Sequence, residues 1–204
     1  MHKKLISALL LATPLLSLAD GSNLVLNGSF ESVLIKSSNR WEIFSNVTGW
    51  TGGAGGIEVR NNVVGLASDG SNFVELDTTA NSSMFQTVAT QANQRYTLSF
   101  FYADRVGNGS VSNGLDWSLD GSQWSSVGGG NGGASHDWKQ LSVDFTASGA
   151  TTLYFRASGR SDQLGTSLDQ ISITSAVPEP QSYALMLGGI AAIGFMARRR
   201  QRQA

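Results

Sequence analysis

The sequence predicts an all-β protein, a single antiparallel β-sandwich set between a cleaved leader and a short apolar tail. Three observations carry that prediction. Apolar residues through the middle of the chain alternate with polar ones at period two, which places one face of each segment in a core and the other in water. Turn signals recur at close intervals, with 24 glycines in the chain and no proline between Asp20 and Ala176. No stretch between those two residues has the periodicity of a long helix.

The leader comes first. "MHKKLISALLLATPLLSLADGS" has a basic start at Lys3 and Lys4 and an apolar run from Leu5 to Leu16. It closes on Ser17-Leu18-Ala19, with small residues at positions −3 and −1 of a cleavage site. That is the layout of a secretory signal peptide, residues 1–19, and the mature chain then begins at Asp20.

The strands follow. "GIEVRN" and "FVELD" alternate briefly. "YTLSFFYADRV" sets Tyr96, Leu98, Phe100 and Tyr102 on one face. "LDWSLDG" groups Leu115, Trp117 and Leu119 and ends in an Asp-Gly turn. "KQLSVDFTA" alternates Leu141, Val143 and Phe145 with Lys139, Ser142 and Asp144. "TLYFRAS" pairs Leu153 with Phe155, and "DQISIT" pairs Ile171 with Ile173. The glycine clusters "TGGAGG" and "VGGGNGGASHD" lack the Gly-Lys-Ser/Thr ending of a phosphate loop, so they are expected as flexible loops at the rim of the sandwich.

Composition narrows the function. Between Asp20 and Ala176 eight Lys/Arg stand against fourteen Asp/Glu, a balance of −6. A net anionic exported domain lacks the basic face on which nucleic-acid affinity rests, so no nucleic-acid partner is expected. The chain has no cysteine, which excludes disulfides, thiol nucleophiles and thiolate metal sites. His136 is the one histidine of the mature chain, which excludes a multi-histidine zinc site. The 157 residues from 20 to 176 suffice for one domain with a real core.

The tail reads "VPEPQSYALMLGGIAAIGFMARRRQRQA". Two prolines disfavour helix in the residues before them, so Pro178-Glu179-Pro180 is expected as an extended handle. From Gln181 to Ala197 the run is apolar, about 26 Å as helix and at the lower limit for a membrane span. The basic tail, 198–202, holds Arg198, Arg199 and Arg200 on the cytoplasmic side. This order of parts closely resembles the PEP-CTERM sorting signal of Gram-negative, exopolysaccharide-making bacteria. The resemblance covers residues 177–204. It implies a transient inner-membrane intermediate, recognition by an exosortase, and delivery to the cell surface, outer envelope or extracellular matrix.

Within the ectodomain, 20–176, "NLVLNGSFES", "ASDGSNFVELD" and "TSLDQISIT" follow one another in the order and spacing of galactose-binding-like jelly rolls. The resemblance spans most of Asn23 to Thr174. It implies a jelly roll of the carbohydrate-binding-module kind, with structural calcium held by Glu31 and Asp169, and with Asp69 as a further ligand candidate. Trp50, in "VTGWTGG", resembles the structural Gly-Trp found early in this fold. Sugar binding needs aromatic platforms, and Trp124 and Trp138 flank the long glycine loop, which makes them the candidates.

A jelly-roll glycoside hydrolase is the further alternative: "VELDTTA" resembles the Glu-x-Asp-x-x-Glu pattern of some jelly-roll glycosidases, without its second Glu. Glu75 and Asp77, two apart on a strand, share a face at roughly 6.6 Å, but Thr79 and Ala80 stand where a second acid would be needed. His136-Asp137 lies in no Gly-x-Ser-x-Gly context. The expected function is therefore non-catalytic: a binding module for glycan or exopolysaccharide, or alternatively a biofilm matrix protein with no specific ligand.

Overall fold

A computed structural model describes residues 21–175 and, beyond them, Gly189, Ile190 and Ile193 in a helix. The signal peptide and the sorting-motif residues Pro178, Glu179, Pro180 and Arg198–Arg200 lie outside the described residues, as does most of the expected membrane helix. Among the described residues no helix is long and apolar enough to cross a membrane.

Among the described residues twelve strands form two six-stranded sheets, and every pairing is antiparallel. The first sheet runs β1 (Trp41–Phe44), β4 (Ile57–Asn61), β5 (Asn72–Glu75), β12 (Ser167–Ser175), β7 (Arg95–Ala103) and β10 (Lys139–Thr146). The second runs β2 (Asn46–Val47), β3 (Trp50–Gly52), β6 (Ser83–Val88), β11 (Thr151–Ala157), β8 (Leu115–Ser118) and β9 (Ser125–Val127). Every segment expected from the alternation is a strand.

The core lies between the sheets. Leu98, Phe100, Leu153, Phe155 and Ile173 are fully buried, as their alternation requires. Trp50 joins Phe30 and Phe155 at ring separations of 6.0 and 6.1 Å, and Phe155 meets Phe100 edge-on at 5.1 Å. The Trp50 indole N–H donates to the Asn27 carbonyl at 3.2 Å, so its polar end is not stranded by burial. This confirms the structural role expected for Trp50.

One irregularity decides what β12 presents. The register of β12 on β7 shifts between Asp169 and Ser172, and Gln170 has φ of 52°. The extra residue restores parity, so that Leu168 and Ile171 both enter the core while Asp169 turns to the outer face. Gly28 packs on this bulge, where a Cβ would stand 2.0 Å from the Ile171 carbonyl oxygen, and Ile171 N–H donates to the Gly28 carbonyl.

The glycine clusters differ from expectation. "TGGAGG" closes a short connection between β3 and β4, with Gly56 N–H bonded to the Gly53 carbonyl. The segment 128–138 is tied down rather than loose: Gly132 N–H donates to Asn108, and Gly107 N–H donates to Gly133. A Cβ on Gly132 would stand 1.7 Å from the Arg105 carbonyl oxygen. Glycine here permits close backbone approach rather than flexibility.

Candidate functional site

The outer face of the first sheet is buried where β4 and β5 cross it, because the segments 62–71 and 128–138 fold over it. Alternation turns Glu58, Arg60, Glu75 and Ser167 to this face, and Arg105 follows β7 into it. The cluster closes on Glu75. Its Oε2 forms an ion pair with Arg60, 3.2 Å from Nε, and also bonds Arg105 Nη1, while Arg60 Nη2 reaches Glu58 Oε1 at 2.6 Å. Two carboxylates and two guanidiniums are thus buried together, with their charges matched. Burial pushes both Glu58 and Glu75 above the ordinary carboxylate range, against the pull of Arg60 and Arg105.

Ser167 Oγ lies 3.1 Å from Glu75 Oε1 and 3.2 Å from His136 Nε2. His136 Nδ1 lies 2.9 Å from the Leu66 carbonyl, which can only accept, so the proton is assigned to Nδ1. Trp138 Nε1 donates to the same carbonyl at 3.0 Å. Burial lowers the His136 pKa, with Arg105 and Arg60 adding to that effect. With Nδ1 carrying the proton, His136 Nε2 can only accept, and the one Ser167 hydroxyl proton goes either to it or to Glu75. Ser167, with no exposed surface, stands between the carboxylate and the imidazole instead of at the end of a triad.

Above this cluster opens a cleft of about 600 Å³, walled by Val64, Leu66, Val106 and the rings of His136 and Trp138. Phe73 supports both rings edge-on, at 5.0 Å from His136 and 6.0 Å from Trp138. Nothing in the sequence singles out Glu58, Arg60, Arg105 or Ser167. They read as wet-face residues, and only the cover supplied by the β4–β5 connection and the distant segment 128–138 makes them a buried site.

Glu75 and Asp77 do not form a working pair. β5 ends at Glu75, and Asp77 Oδ2 instead accepts the amides of Asp162 and Leu164 at 2.9 and 3.1 Å.

The outer face of the second sheet is open. Phe85 (β6), Tyr154 (β11) and Trp124 (between β8 and β9) stand in a row, each half-buried. Ring separations are 5.5 Å from Phe85 to Tyr154 and 6.2 Å from Tyr154 to Trp124, with interplanar angles of 33° and 58°. The row is held rigidly. Trp124 Nε1 donates to Gly121 at 3.1 Å, and the Arg156 guanidinium carbon lies 3.9 Å from the Trp124 ring centroid. Arg156 is anchored in turn by Nε and Nη2, each 3.0 Å from Asp116 Oδ2. The turn carrying Trp124 is pinned by Asp120, whose Oδ1 accepts the Ser122 and Gln123 amides. These amides, Gln123 first, hold the Asp120 carboxyl well below its usual range. Trp124 and Trp138 are thus on opposite faces and belong to separate surfaces.

Glu31 and Asp169 flank one loop. Glu31 Oε1 accepts the amides of Ser71 and Asn72 at 2.8 and 2.6 Å. Asp169 Oδ2 accepts those of Ser68 and Asp69 at 2.8 and 2.9 Å. Asp69 Oδ2 accepts the Ser29 hydroxyl. Among the described residues no group of three His, Asp or Glu side chains is gathered as a metal shell. Asp169 is fully buried, its oxygens accept three backbone amides, and burial pushes its pKa up to about 7.

Comparison with known proteins adds two findings. Residues 176–200 match the family model of the PEP-CTERM protein-sorting motif. A cyclase from Fischerella sp. TAU, solved with 4-(1H-indol-3-yl)butan-2-one, superposes with a TM-score of 0.54 at 13% identity, covering 76% of this chain and 98% of the cyclase. The sandwich therefore shares that protein's fold. Looser superpositions include TmCBM61 in complex with β-1,4-galactotriose (TM-score 0.47, 18% identity, 75% of this chain and 98% of the other). Another is a family 35 carbohydrate binding module from Clostridium thermocellum (TM-score 0.45, 13% identity, 66% and 98%). No curated protein matches the chain in sequence. The chain is a jelly-roll β-sandwich followed by a PEP-CTERM sorting motif.

Proposed function

We propose that this is an exported, non-catalytic glycan-binding module, passed through the inner membrane and an exosortase to the cell surface or extracellular matrix. The observation that carries the binding role is the rigid aromatic row Phe85–Tyr154–Trp124 on an open sheet face. Aromatic rings offer apolar faces to the C–H faces of sugars. The neighbouring Thr87 and Thr152 hydroxyls, 3.0 Å apart, and Arg156 supply polar groups. The rings are twisted relative to one another, which suits a single glycan chain better than a flat crystalline surface. Trp138 is a second candidate contact, in the cleft on the other face.

The absence of catalysis is supported by the state of the candidate acids and bases. Glu75 is committed to two arginines, and His136 Nδ1 is held by the Leu66 carbonyl with Nε2 against the buried Ser167. We also propose that Glu31, Asp169 and Asp69, with backbone carbonyls, hold calcium as a structural ion. Such an ion would supply the positive charge that buried Asp169 lacks.

Affinity electrophoresis of the 20–176 domain through soluble polysaccharides tests the binding role. Retention by at least one polysaccharide, weakened about tenfold or more by Trp124→Ala with an unchanged melting temperature, is expected. Retention by none favours a matrix protein without a specific ligand.

A further inference from the structure

One charge is left over on the open face of the second sheet. Leu153 and Phe155 of β11 point into the core, so Thr152, Tyr154 and Arg156 point outward, with Asp116 and Ser118 of β8 beside them. Arg156 bonds Asp116 through Nε and Nη2, each at 3.0 Å, and the pair is neutral. The outward residues of β6, Ser83, Phe85 and Thr87, carry no charge. Asp120, just past the end of β8, is exposed, and among the described residues no Lys or Arg forms an ion pair with it.

Asp120 lines a recess of about 390 Å³ together with Tyr154, Thr152, Leu119, Phe145 and Ser148. Tyr154 also stands in the row Phe85–Tyr154–Trp124, so the recess continues that row. The carboxylate is held in place: Oδ1 accepts the Ser118 hydroxyl at 3.0 Å and the Ser122 and Gln123 amides at 2.7 and 2.9 Å. Gly121 then passes the Tyr154 ring so closely that a Cβ would stand 3.2 Å from Cε2, and its φ of 75° suits glycine. On the first sheet Arg95 lies opposite Thr146 of the recess wall, and Asp144 pairs with it at 3.3 Å.

We propose that this recess is a sugar subsite of the aromatic face, and that Asp120 restricts the face to neutral glycans. This rests on the glycan-binding reading above and names the class of glycan. A sugar unit packed against Tyr154 brings its hydroxyls to the Asp120 carboxylate, and a hydroxyl donated to a carboxylate makes a bond roughly twice as strong as one between neutral groups. A uronate unit brings a second carboxylate into the same recess. It meets no free cation there, because Arg156 is engaged by Asp116 and Arg95 by Asp144. Like charges set side by side at an interface select against that partner.

The test is affinity electrophoresis of the full chain in a nonionic detergent. The probes are β-1,4-galactan, galactomannan and xyloglucan, each before and after oxidation of its primary alcohols to carboxylates. At least one neutral polymer is expected to retain the parent, and its oxidised form to do so about fivefold or more weakly. Asp120→Asn keeps the oxygen that the turn amides need and loses the charge. It is expected to weaken retention by the neutral polymer about threefold and to remove most of the discrimination against the oxidised one. Glu42→Gln, on β1 at the far edge of the first sheet, makes the same change in net charge and is expected to alter neither. The subsite is overturned, with glycan binding intact, if the oxidised polymer retains the parent as well as the neutral one does. It is overturned equally if Asp120→Asn leaves both quantities unchanged while Trp124→Ala weakens retention, or if Glu42→Gln shifts the discrimination as much as Asp120→Asn does. Retention by none of the neutral polymers overturns the glycan-binding reading itself, and this subsite with it.

Discussion

The guanidinium carbon of Arg156 lies 3.9 Å from the ring centroid of Trp124. The cation covers one face of the indole while Asp116 holds the cation in place, so a surface tryptophan that could adopt many rotamers is fixed in one. Arg156→Ala is expected to weaken polysaccharide retention several-fold and to leave the melting temperature within a few degrees. The loss at such a partly exposed site is on the order of 1 kcal/mol. Arg156→Lys should not restore binding, because an ammonium cannot both bond Asp116 through two nitrogens and stack on the ring. Equal retention by all three proteins would remove this row from the binding site.

Breaking the buried network should be costly. Arg105→Ala leaves Glu75 with one guanidinium in place of two, in a site with almost no exposure. The expected loss is roughly 3–5 kcal/mol, read from urea denaturation. Glu75→Gln should also destabilise, since it strands Arg105 and leaves Arg60 with Glu58 alone. A loss below about 1 kcal/mol in either variant would show that water reaches the cluster.

His136 joins the floor of the cleft to its roof. His136→Ala removes the contacts to both Leu66 and Ser167. Amide hydrogen exchange within residues 62–71 should then speed up, while β7 and β11 keep their protection. Unchanged exchange in that segment would mean that Trp138 alone holds it.

Asp169 makes stability depend on pH. Its folded pKa, about 7, lies above that of an unfolded aspartate, near 3.9, so the folded state binds the extra proton between those values. In calcium-free buffer its stabilising effect is complete below about pH 4 and is lost as pH rises through about 7. Melting temperature should therefore fall from pH 5 to pH 8, and Asp169→Asn should flatten that slope. If calcium binds here, adding it at pH 8 should raise the melting temperature of the parent but not of Asp169→Asn. No response to calcium or chelator would leave Asp169 as a loop clamp only.

The strands were legible because alternation reports directly which residues face a core. Leu153 with Phe155, and Ile171 with Ile173, need no other information. The buried cluster was not legible for the same reason. Glu58, Arg60 and Glu75 alternate as solvent-facing residues, and the fold of the β4–β5 connection over them depends on His136 and Trp138 from far along the chain. The bulge at Gln170 is equally silent, yet it decides that Asp169 faces the 68–72 loop and not the core. Trp124 and Trp138 flank one glycine-rich loop in the sequence, but β9 and the first part of that segment carry the chain from one sheet's face to the other's.

The placement of β12 sets a timetable. It is the last strand of the domain, yet it lies in the interior of the first sheet, between β5 and β7. Until it arrives, that sheet is two unjoined halves, and the edges of β5 and β7 have no partner. The first sheet is therefore expected to close late, when its most C-terminal strand becomes available to join β5 to β7.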